Sequence, residues 1–488
     1  MSNSDSGQNL ATLQQDHFSR WKNREQIAEQ MISAIGNLYR EKNVIVSVYG
    51  RALINRSVIQ ILKAHRRVRM IAGDLSVTQT MPILEAIAKR DIGACRLDIG
   101  KIAIEIKNSG RSLDEVLDEE LGKAKWSESS FNATDVVLYG FGRIGRILAR
   151  LLIEQAGAGK GLRLRAIVVR RGGEGDLLKR ASLLRRDSIH GGFEGTLEVD
   201  QENEAIIANG NMIKVIYAGK PSEVDYTQYG INNALLIDNT GVWRDRAGLS
   251  QHLEAKGIKR VILTAPGKGD LKNIVYGIND DMITDSDQII SAASCTTNAI
   301  TPVLKILNDE FGVEHGHVET VHSFTNDQNL IDNYHSADRR GRSAVLNMVI
   351  TETGATKAVG KAVPALDGKL TGNAVRVPTA NVSLAILNLS FAKDVGDAKS
   401  LNNFVREVCL HSKLHSQIDF SNSPDAVSTD FVGSRAAGIF DAQATQASGK
   451  RATVYVWYDN EFGYSCQVFR IALKAAGIHY LQIPAFED

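Results

Sequence analysis

A cysteine at the start of a predicted helix is the residue best suited to covalent chemistry in this chain. Cys295 follows the apolar run 288–293 and precedes a predicted helix over 299–311. Unpaired backbone N–H groups at a helix N-terminus lower the pKa of a thiol and raise its nucleophilic thiolate fraction. The small, hydroxyl-bearing neighbours Ser294 and Thr296 would leave the sulfur accessible. These features favour a reactive thiol over a buried structural cysteine, which is the more common role of a lone Cys.

A cysteine nucleophile needs a base or a cationic partner, and His322 is the best placed of the 11 histidines. It ends the predicted strand 318–321, which follows the helix that Cys295 begins. A strand–helix–strand unit can bring those two ends close together. From the residues alone, the choice between His322 and the other histidines stays open.

Three glycines in a GxGxxG pattern predict a dinucleotide site. Gly140, Gly142 and Gly145 follow a predicted strand over 136–139 and open a predicted helix over 144–155. The first glycine allows the tight turn, the second lets the backbone approach a pyrophosphate, and the third lets helix and strand pack closely. The helix N-terminus would bind the phosphates. An ordinary glycine-rich turn is the alternative.

The end of the next predicted strand bears on the choice of cofactor. This strand, 164–169, ends at Val169, and Arg170 and Arg171 follow it. A site for NAD usually has Asp or Glu at this position, bound to the ribose 2′-OH. Guanidinium groups bind a 2′-phosphate well. The sequence therefore predicts NADP in preference to NAD, unless both arginines are solvated surface residues.

The N-terminal region differs from the rest of the chain in the spacing of its apolar residues. Apolar residues at helical spacing over 27–38 and 113–121 predict a mostly helical domain over 1–133. Residues 1–20 are predicted to be a flexible polar lead, and 127–132 a linker.

Strand–turn–helix alternation begins at Asp135 and predicts an α/β fold with a Rossmann-type, doubly wound parallel sheet. We expect this dinucleotide-binding domain to span 134–294 and to be completed by a C-terminal helix at about 460–482. Longer alternating runs predict an α+β catalytic domain over 295–459 with a mixed or antiparallel sheet.

Composition excludes several classes of protein. The 488 residues include 57 Lys and Arg against 56 Asp and Glu, which gives no reason to expect a nucleic-acid binder or a polybasic membrane protein. The four cysteines lie far apart, which disfavours a disulfide scaffold or a zinc cluster, so no metal is expected. No signal peptide or membrane span is predicted, and a cytoplasmic location is expected. The basic segment Lys63–Arg69 is interpreted as a solvated helix face or turn, with contact to an acidic partner as the alternative.

A series of motifs, in collinear order over about 134–480, resembles the glyceraldehyde-3-phosphate dehydrogenase family. The interval of 27 residues from Cys295 to His322 is also that family's interval between thiol and imidazole. Residues 1–133 resemble the N-terminal extension of a longer bacterial subgroup. The motifs occupy 140–146, 184–191, 239–242, 291–302, 321–328, 353–360, 370–372, 376–382 and 457–465.

The resemblance implies phosphorylating oxidation of glyceraldehyde 3-phosphate to 1,3-bisphosphoglycerate, and the reverse. Cys295 would form a hemithioacetal and then a thioester, His322 would take the proton as hydride leaves for NAD(P), and inorganic phosphate would release the acyl group. The resemblance places Thr325, Asp327 and Arg376 around the substrate phosphate. It places Ser294, Thr296, Arg342, Thr353 and Gly354 around the attacking phosphate. Around the cofactor, it places Arg143, Ile144, Thr264, Asn460 and Tyr464.

Two departures from the family pattern concern the cofactor. Tyr139 stands where the family usually has asparagine, and Val169 stands where it usually has the ribose-binding aspartate. NADP is therefore favoured, with NAD as the alternative, and an NADPH donor would suit the gluconeogenic rather than the glycolytic direction. The arginine-rich stretch 338–342 resembles a subunit-interface loop, so a homotetramer is expected.

Two other functions stay open. An erythrose-4-phosphate dehydrogenase is disfavoured because Thr325 and Asp327 are retained. A non-catalytic regulatory or scaffold protein, which would use residues 1–133 to bind a partner, is disfavoured because both Cys295 and His322 are retained.

Overall fold

The computed structural model describes residues 10–69, 72–124, 126, 133–157 and 159–486. The chain forms two compact units, one of Met1–Ser130 with His479–Phe486 and the other from Phe131 to Ile478. Among the described residues, no helix is both long and apolar enough to span a bilayer.

The first unit is mostly helical, as predicted, but it also contains a small sheet. Its first strand falls in the short apolar run 44–49, which the sequence pattern leaves open between strand and helix. The helices are α1 (Leu10–Lys42), α2 (Val58–Val68), α3 (Val77–Ala88), α4 (Ile99–Ser109) and α5 (Leu113–Gly122). The strands are β1 (Ile45–Val48), β2 (Arg51–Ala52), β3 (Cys95–Asp98) and, from the far end of the chain, β20 (Leu481–Ile483). They lie in the order β2-β1-β3-β20, with β1, β3 and β20 parallel and β2 antiparallel to β1.

Local sequence accounts for these helices. Ser57, Ser76 and Ser112 begin α2, α3 and α5, each with a capping box that satisfies the first N–H groups. The prediction of a flexible segment over 1–20 is wrong from Leu10 onward, because α1 begins there. The same helix continues to Lys42, and apolar side chains along its second half are buried. The predicted linker 127–132 lies outside the described residues.

The second unit begins with the predicted doubly wound sheet. Its order is β11-β10-β9-β4-β5-β8-β7-β6, parallel from β11 to β8 and antiparallel through β7 and β6. The strands are β4 (Thr134–Tyr139), β5 (Leu162–Val169), β6 (Leu197–Asp200), β7 (Ala205–Ala208), β8 (Asn211–Tyr217), β9 (Ala234–Asp238), β10 (Ile258–Leu263) and β11 (Ile289–Ser291). The helices are α6 (Arg143–Glu154), α7 (Asp176–Arg185) and α8 (Arg246–Ser250).

A second eight-stranded sheet follows, and it is mixed, as predicted. Its order is β13-β14-β12-β15-β19-β17-β16, with β18 paired to β19. The strands are β12 (Val313–Ser323), β13 (Val349–Glu352), β14 (Leu370–Val377), β15 (Ser383–Phe391), β16 (Ile418–Ser421), β17 (Gly438–Asp441), β18 (Gln446–Ser448) and β19 (Arg451–Tyr458). The helices are α9 (Cys295–Phe311), α10 (Ala355–Ala362), α11 (Ala398–His411) and α12 (Phe462–Ala475).

The C-terminal helix is shorter than the predicted 460–482. It ends at Ala475, and Gly477 then adopts a left-handed φ of 67°, which stops a helix. Residues 481–483 form β20 in the sheet of the first unit instead. The boundary at 294/295 between cofactor and catalytic domains stays a prediction.

Candidate active site

Cys295 is the first residue of α9, as the sequence indicated. Ser294 caps the helix, and its Oγ accepts a hydrogen bond from the Thr297 N–H at 3.0 Å. Ala293, just before the cap, holds a left-handed φ of 54°, which turns the chain sharply from β11 into the helix. The half-buried sulfur therefore lies beside the helix N-terminus.

His322 is the partner of the thiol. Its Nε2 lies 3.6 Å from the Cys295 Sγ. Its Nδ1 lies 2.7 Å from the Ser323 carbonyl oxygen, which can only accept, and 3.0 Å from the Arg376 Nη1, which can only donate. The contact with Ser323 is the shorter, so we assign the proton to Nδ1. That tautomer leaves the lone pair of Nε2 directed at the thiol. β12 carries His322 beside Arg376, its register partner on parallel β14.

The electrostatics favour a neutral thiol and a neutral imidazole in the resting site. Burial, and then the charge of Arg376, lowers the pKa of His322 to about 3. Burial raises the pKa of the Cys295 thiol, while Arg376 and a hydrogen bond from Thr296 oppose the rise. Burial thus acts against the lowering of the thiol pKa that the helix N-terminus predicts. A neutral imidazole is the form able to accept the thiol proton.

The residues expected around a substrate phosphate lie together. Nη1 of Arg376 donates to the Thr325 Oγ1 at 3.2 Å, and Thr325 donates to Asp327. Burial alone would raise the pKa of Asp327, but hydrogen bonding from Thr325 and the charges of Arg340 and Arg376 hold it below its ordinary value. The buried Nε of Arg376 has no partner among the described residues. Such an orphaned donor beside the thiol fits an anionic ligand.

Arg340 completes this cluster and was missed from the sequence. Its Nη1 donates to Asp327 at 2.7 Å and its Nε to the Thr351 Oγ1 at 3.3 Å. Arg342, predicted to bind the attacking phosphate, instead pairs with exposed Asp332 at 2.8 Å. The sequence 338–342 has three arginines, and the pattern alone could not indicate which one pairs with Asp327.

The remaining residues predicted for the attacking phosphate are partly assembled. Ser294 and Thr296 flank the thiol, and the Thr296 Oγ1 lies 3.0 Å from the buried Tyr458 hydroxyl. Thr353 and Gly354 lie at the start of α10, where the Thr353 Oγ1 accepts the Ala355 N–H at 3.2 Å. A Cβ on Gly354 would meet no atom within 4 Å, so its backbone is open to a ligand.

The glycine-rich turn forms a cradle at the carboxyl end of β4. Gly140 has a left-handed φ of 90°, and a Cβ on Gly145 would lie 2.4 Å from the Gly140 oxygen. A Cβ on Gly142 would meet nothing within 4 Å, which leaves the backbone open to close approach. The N–H groups of Arg143 and Ile144 begin α6. Open backbone and helix N–H groups together fit the pyrophosphate of a dinucleotide.

The Arg143 side chain links this cradle to the loop that carries Asn460. It donates to Glu461 through Nη2 at 2.6 Å and to Asp187 through Nη1 at 2.9 Å. His190 extends the cluster, with its Nε2 3.1 Å from Asp459. The guanidinium is thus committed to carboxylates, so only the backbone of Arg143 is free to meet a phosphate.

The other predicted cofactor residues lie nearby. Asn460 is buried and accepts a hydrogen bond from the Ser383 hydroxyl at 3.1 Å. The Tyr464 hydroxyl donates to the Ala293 oxygen at 3.0 Å, directly behind the thiol loop. The Thr264 hydroxyl, at the end of β10, donates to the Asp238 oxygen at 3.0 Å.

The two arginines after β5 differ in whether their guanidinium groups are already paired with a carboxylate. Nη2 of Arg171 pairs with Glu204 at 2.6 Å, and its guanidinium lies 3.7 Å from the Tyr217 ring centroid. Arg170 is exposed, and among the described residues its side chain has no acidic partner. Of the pair, Arg170 is the one able to meet a 2′-phosphate.

Comparisons with known proteins agree with this geometry. The model of the glyceraldehyde 3-phosphate dehydrogenase NAD-binding domain matches residues 134–246, and that of the C-terminal domain matches residues 294–460. A glyceraldehyde-3-phosphate dehydrogenase-like protein of Pseudomonas aeruginosa is 60% identical over 92% of this chain and 99% of its own length. A glyceraldehyde-3-phosphate dehydrogenase of the same species is 39% identical over 70% of this chain and 98% of its own. The chloroplastic glyceraldehyde-3-phosphate dehydrogenase A of Zea mays is 40% identical over 69% of this chain and 81% of its own length.

Proposed function

We propose that this chain catalyses the phosphorylating oxidation of glyceraldehyde 3-phosphate, and the premise is its family: the chain belongs to the glyceraldehyde-3-phosphate dehydrogenase family. One observation carries the proposal. The Cys295 thiol lies 3.6 Å from a neutral imidazole, beside an arginine with an orphaned buried donor.

The thiol would add to the aldehyde carbon of the substrate. His322 Nε2 accepts the thiol proton during attack and passes it to the former carbonyl oxygen as the hemithioacetal forms, which returns the imidazole to its neutral form. The Nδ1 proton stays bonded to the Ser323 oxygen throughout. A nicotinamide cofactor, when bound, supplies the hydride acceptor that turns the Cys295 hemithioacetal into a thioester. His322 takes the hemithioacetal hydroxyl proton at that stage. Phosphate attack then releases the acyl phosphate, and His322 returns its proton to the departing sulfur, which restores the thiol.

The reaction needs two anion sites, one for the phosphate group of the substrate and one for the attacking inorganic phosphate. Thr325, Arg376 and Arg340 hold the phosphate of the substrate, because two guanidinium groups there exceed the single charge of Asp327. Ser294, Thr296, Thr353 and Gly354 surround the attacking phosphate. Arg342 joins them only if it leaves Asp332.

We further propose that the cofactor is NADP and that Arg170 selects it. We expect Arg170→Ala to lower kcat/KM for NADP about tenfold or more, which is the value of one charged hydrogen bond, with little change for NAD. Arg171→Ala is the matched control, since its guanidinium is committed to Glu204. Initial rates with both cofactors decide, and an intrinsic preference for NAD in the wild-type chain would refute the assignment.

The whole proposal is tested by initial rates on a panel of phosphosugars. We expect glyceraldehyde 3-phosphate to be preferred over erythrose 4-phosphate, phosphate to be required, and Cys295→Ser to abolish turnover. Cys409→Ala alters a buried thiol on α11 and should keep activity. Full activity in Cys295→Ser would exclude this mechanism, and inactivity of the wild type on every sugar would favour a scaffold role.

A homotetramer in the cytoplasm completes the proposal. Large apolar side chains between 330 and 348 are strongly exposed, which favours burial against a second copy. They are Leu330 (69%), Ile331 (72%), Tyr334 (90%), Leu346 (80%) and Met348 (76%). Light scattering on the wild type and on Leu346→Asp would test the assembly. A thiol nucleophile has to stay reduced, which favours a reducing compartment such as the cytoplasm, and cell fractionation would test that location.

A further inference from the structure

The exposed face of α2, in the first unit, concentrates positive charge. From Arg56 to Gly73 the chain has no Asp or Glu, although acidic and basic residues balance almost evenly over its whole length. The cations of this segment are Arg56, Lys63, Arg66, Arg67 and Arg69.

The rotation of α2 is fixed by its buried side. Ile61, His65 and Val68 lie in the core of the unit. The His65 ring also bonds the Ile61 carbonyl oxygen at 2.8 Å and the Thr80 hydroxyl at 2.7 Å. The opposite face, with Lys63 and Arg66, must therefore point outward.

Two cations elsewhere in the unit pair with carboxylates, whereas three cations of this segment have no such partner among the described residues. Arg90 pairs with Asp114 at 2.8 Å, and Lys123 pairs with Glu120 at 2.8 Å. Within the described ranges, neither Lys63, Arg66 nor Arg69 has an acidic partner. Uncompensated like charges held this close repel one another, and a bound anion would relieve that repulsion.

A concavity of about 350 Å³ lies among these side chains, lined by Lys63, Arg66, Arg67 and Arg69. Residues 63–69 span about 9 Å at helical rise. We propose that this concavity binds a compact polyphosphate, such as a nucleoside triphosphate or inorganic triphosphate. Four cations over so short a distance match a small anion of three or four charges better than an extended strand. This site is separate from the proposed active site and does not depend on its function.

Calorimetric titration of the full chain with inorganic triphosphate, at about 0.1 M salt and with saturating NADP, tests the proposal. We expect one site in the first unit, and Lys63→Ala/Arg66→Ala should weaken it at least about tenfold, because two charge-assisted contacts are lost. Lys107→Ala, an exposed cation of α4, is the matched control and should bind as the wild type does. Arg376→Ala should also retain binding, which separates this site from the active site.

Turnover of the double variant should equal that of the wild type, and this equality confirms that the variant is folded. Equal triphosphate affinity in the double variant and the wild type would overturn the proposal, as would the absence of binding to the wild type. Loss of binding in Arg376→Ala would place the anion in the active site instead. Tighter binding of a short oligothymidylate than of triphosphate would replace the proposal with a nucleic-acid surface.

Discussion

Replacing His322 by Asn removes the only base that lies, among the described residues, within reach of the thiol. The wild-type pair holds a neutral imidazole 3.6 Å from a thiol whose pKa is raised by burial. In the variant, the charge of Arg376 and the hydrogen bond from Thr296 still oppose that rise, but no base remains beside the thiol among the described residues. The amide of Asn cannot serve as a base at neutral pH.

The expected loss of rate in His322→Asn follows from the role of His322 as a general base. A positioned general base contributes about 10²- to 10⁴-fold. Each tenfold step corresponds to about 1.36 kcal/mol, so the barrier should rise by about 3 to 5 kcal/mol. The imidazole should also accept the thiol proton when another electrophile reacts, so alkylation of Cys295 by iodoacetamide should slow at least about tenfold and recover as pH rises.

Two assays separate these effects. Single-turnover formation of reduced cofactor measures acylation of Cys295, and iodoacetamide kinetics from pH 5 to about 10 measure thiol ionisation without substrate. His315→Asn is the matched control, since His315 is exposed on the same strand. If His322→Asn changed both rates less than about threefold, another group would be the base and the assignment would fail.

Three further changes test the rest of the site. Arg340→Ala should raise KM for the phosphorylated aldehyde about tenfold or more, and Arg342→Ala should raise it less; initial-rate kinetics showing the opposite ranking would exclude the Arg340 assignment. Gly145→Ala should cost about 1 to 3 kcal/mol of unfolding free energy, because its Cβ would lie 2.4 Å from the Gly140 oxygen; a melting temperature equal to the wild type would contradict the close packing. Burial alone would raise the pKa of Asp187, but hydrogen bonds from the His190 N–H and from Arg143 outweigh burial and hold that pKa below its ordinary value. The ionised Asp187 carboxylate therefore stabilises the fold at neutral pH, and this stabilisation is lost as pH falls. The melting difference between wild type and Asp187→Asn should therefore be largest above about pH 5 and should shrink below about pH 4, and a difference that grew in acid would reverse the sign.

Much of the second unit could be predicted because local patterns specify it. The strand before Gly140 and the helix after it follow from a short apolar run and three glycines, and the structure places both within a residue or two. The nearness of Cys295 and His322 follows from the strand–helix–strand order. Local pattern could not show which of several similar residues belongs to the site. Arg340 belongs to it and Arg342 does not, because Arg340 pairs with Asp327 and Arg342 pairs with Asp332.

The sheet of the first unit escaped prediction for a different reason. β1 and β3 have four residues each, too few for a period to distinguish strand from helix. The strand β20, which pairs with β3, lies more than 380 positions further along the chain. No window of sequence contains both partners.

The return of residues 481–483 to β3 sets an order of events during synthesis. A ribosome must translate the entire dehydrogenase part before the edge strand of the first unit emerges. Until then, β3 exposes an unpaired edge to the surroundings of the nascent chain. A truncation designed by residue number alone, such as removal of the first 125 positions, would leave Leu481 and Ile483 without the strand that they pair with.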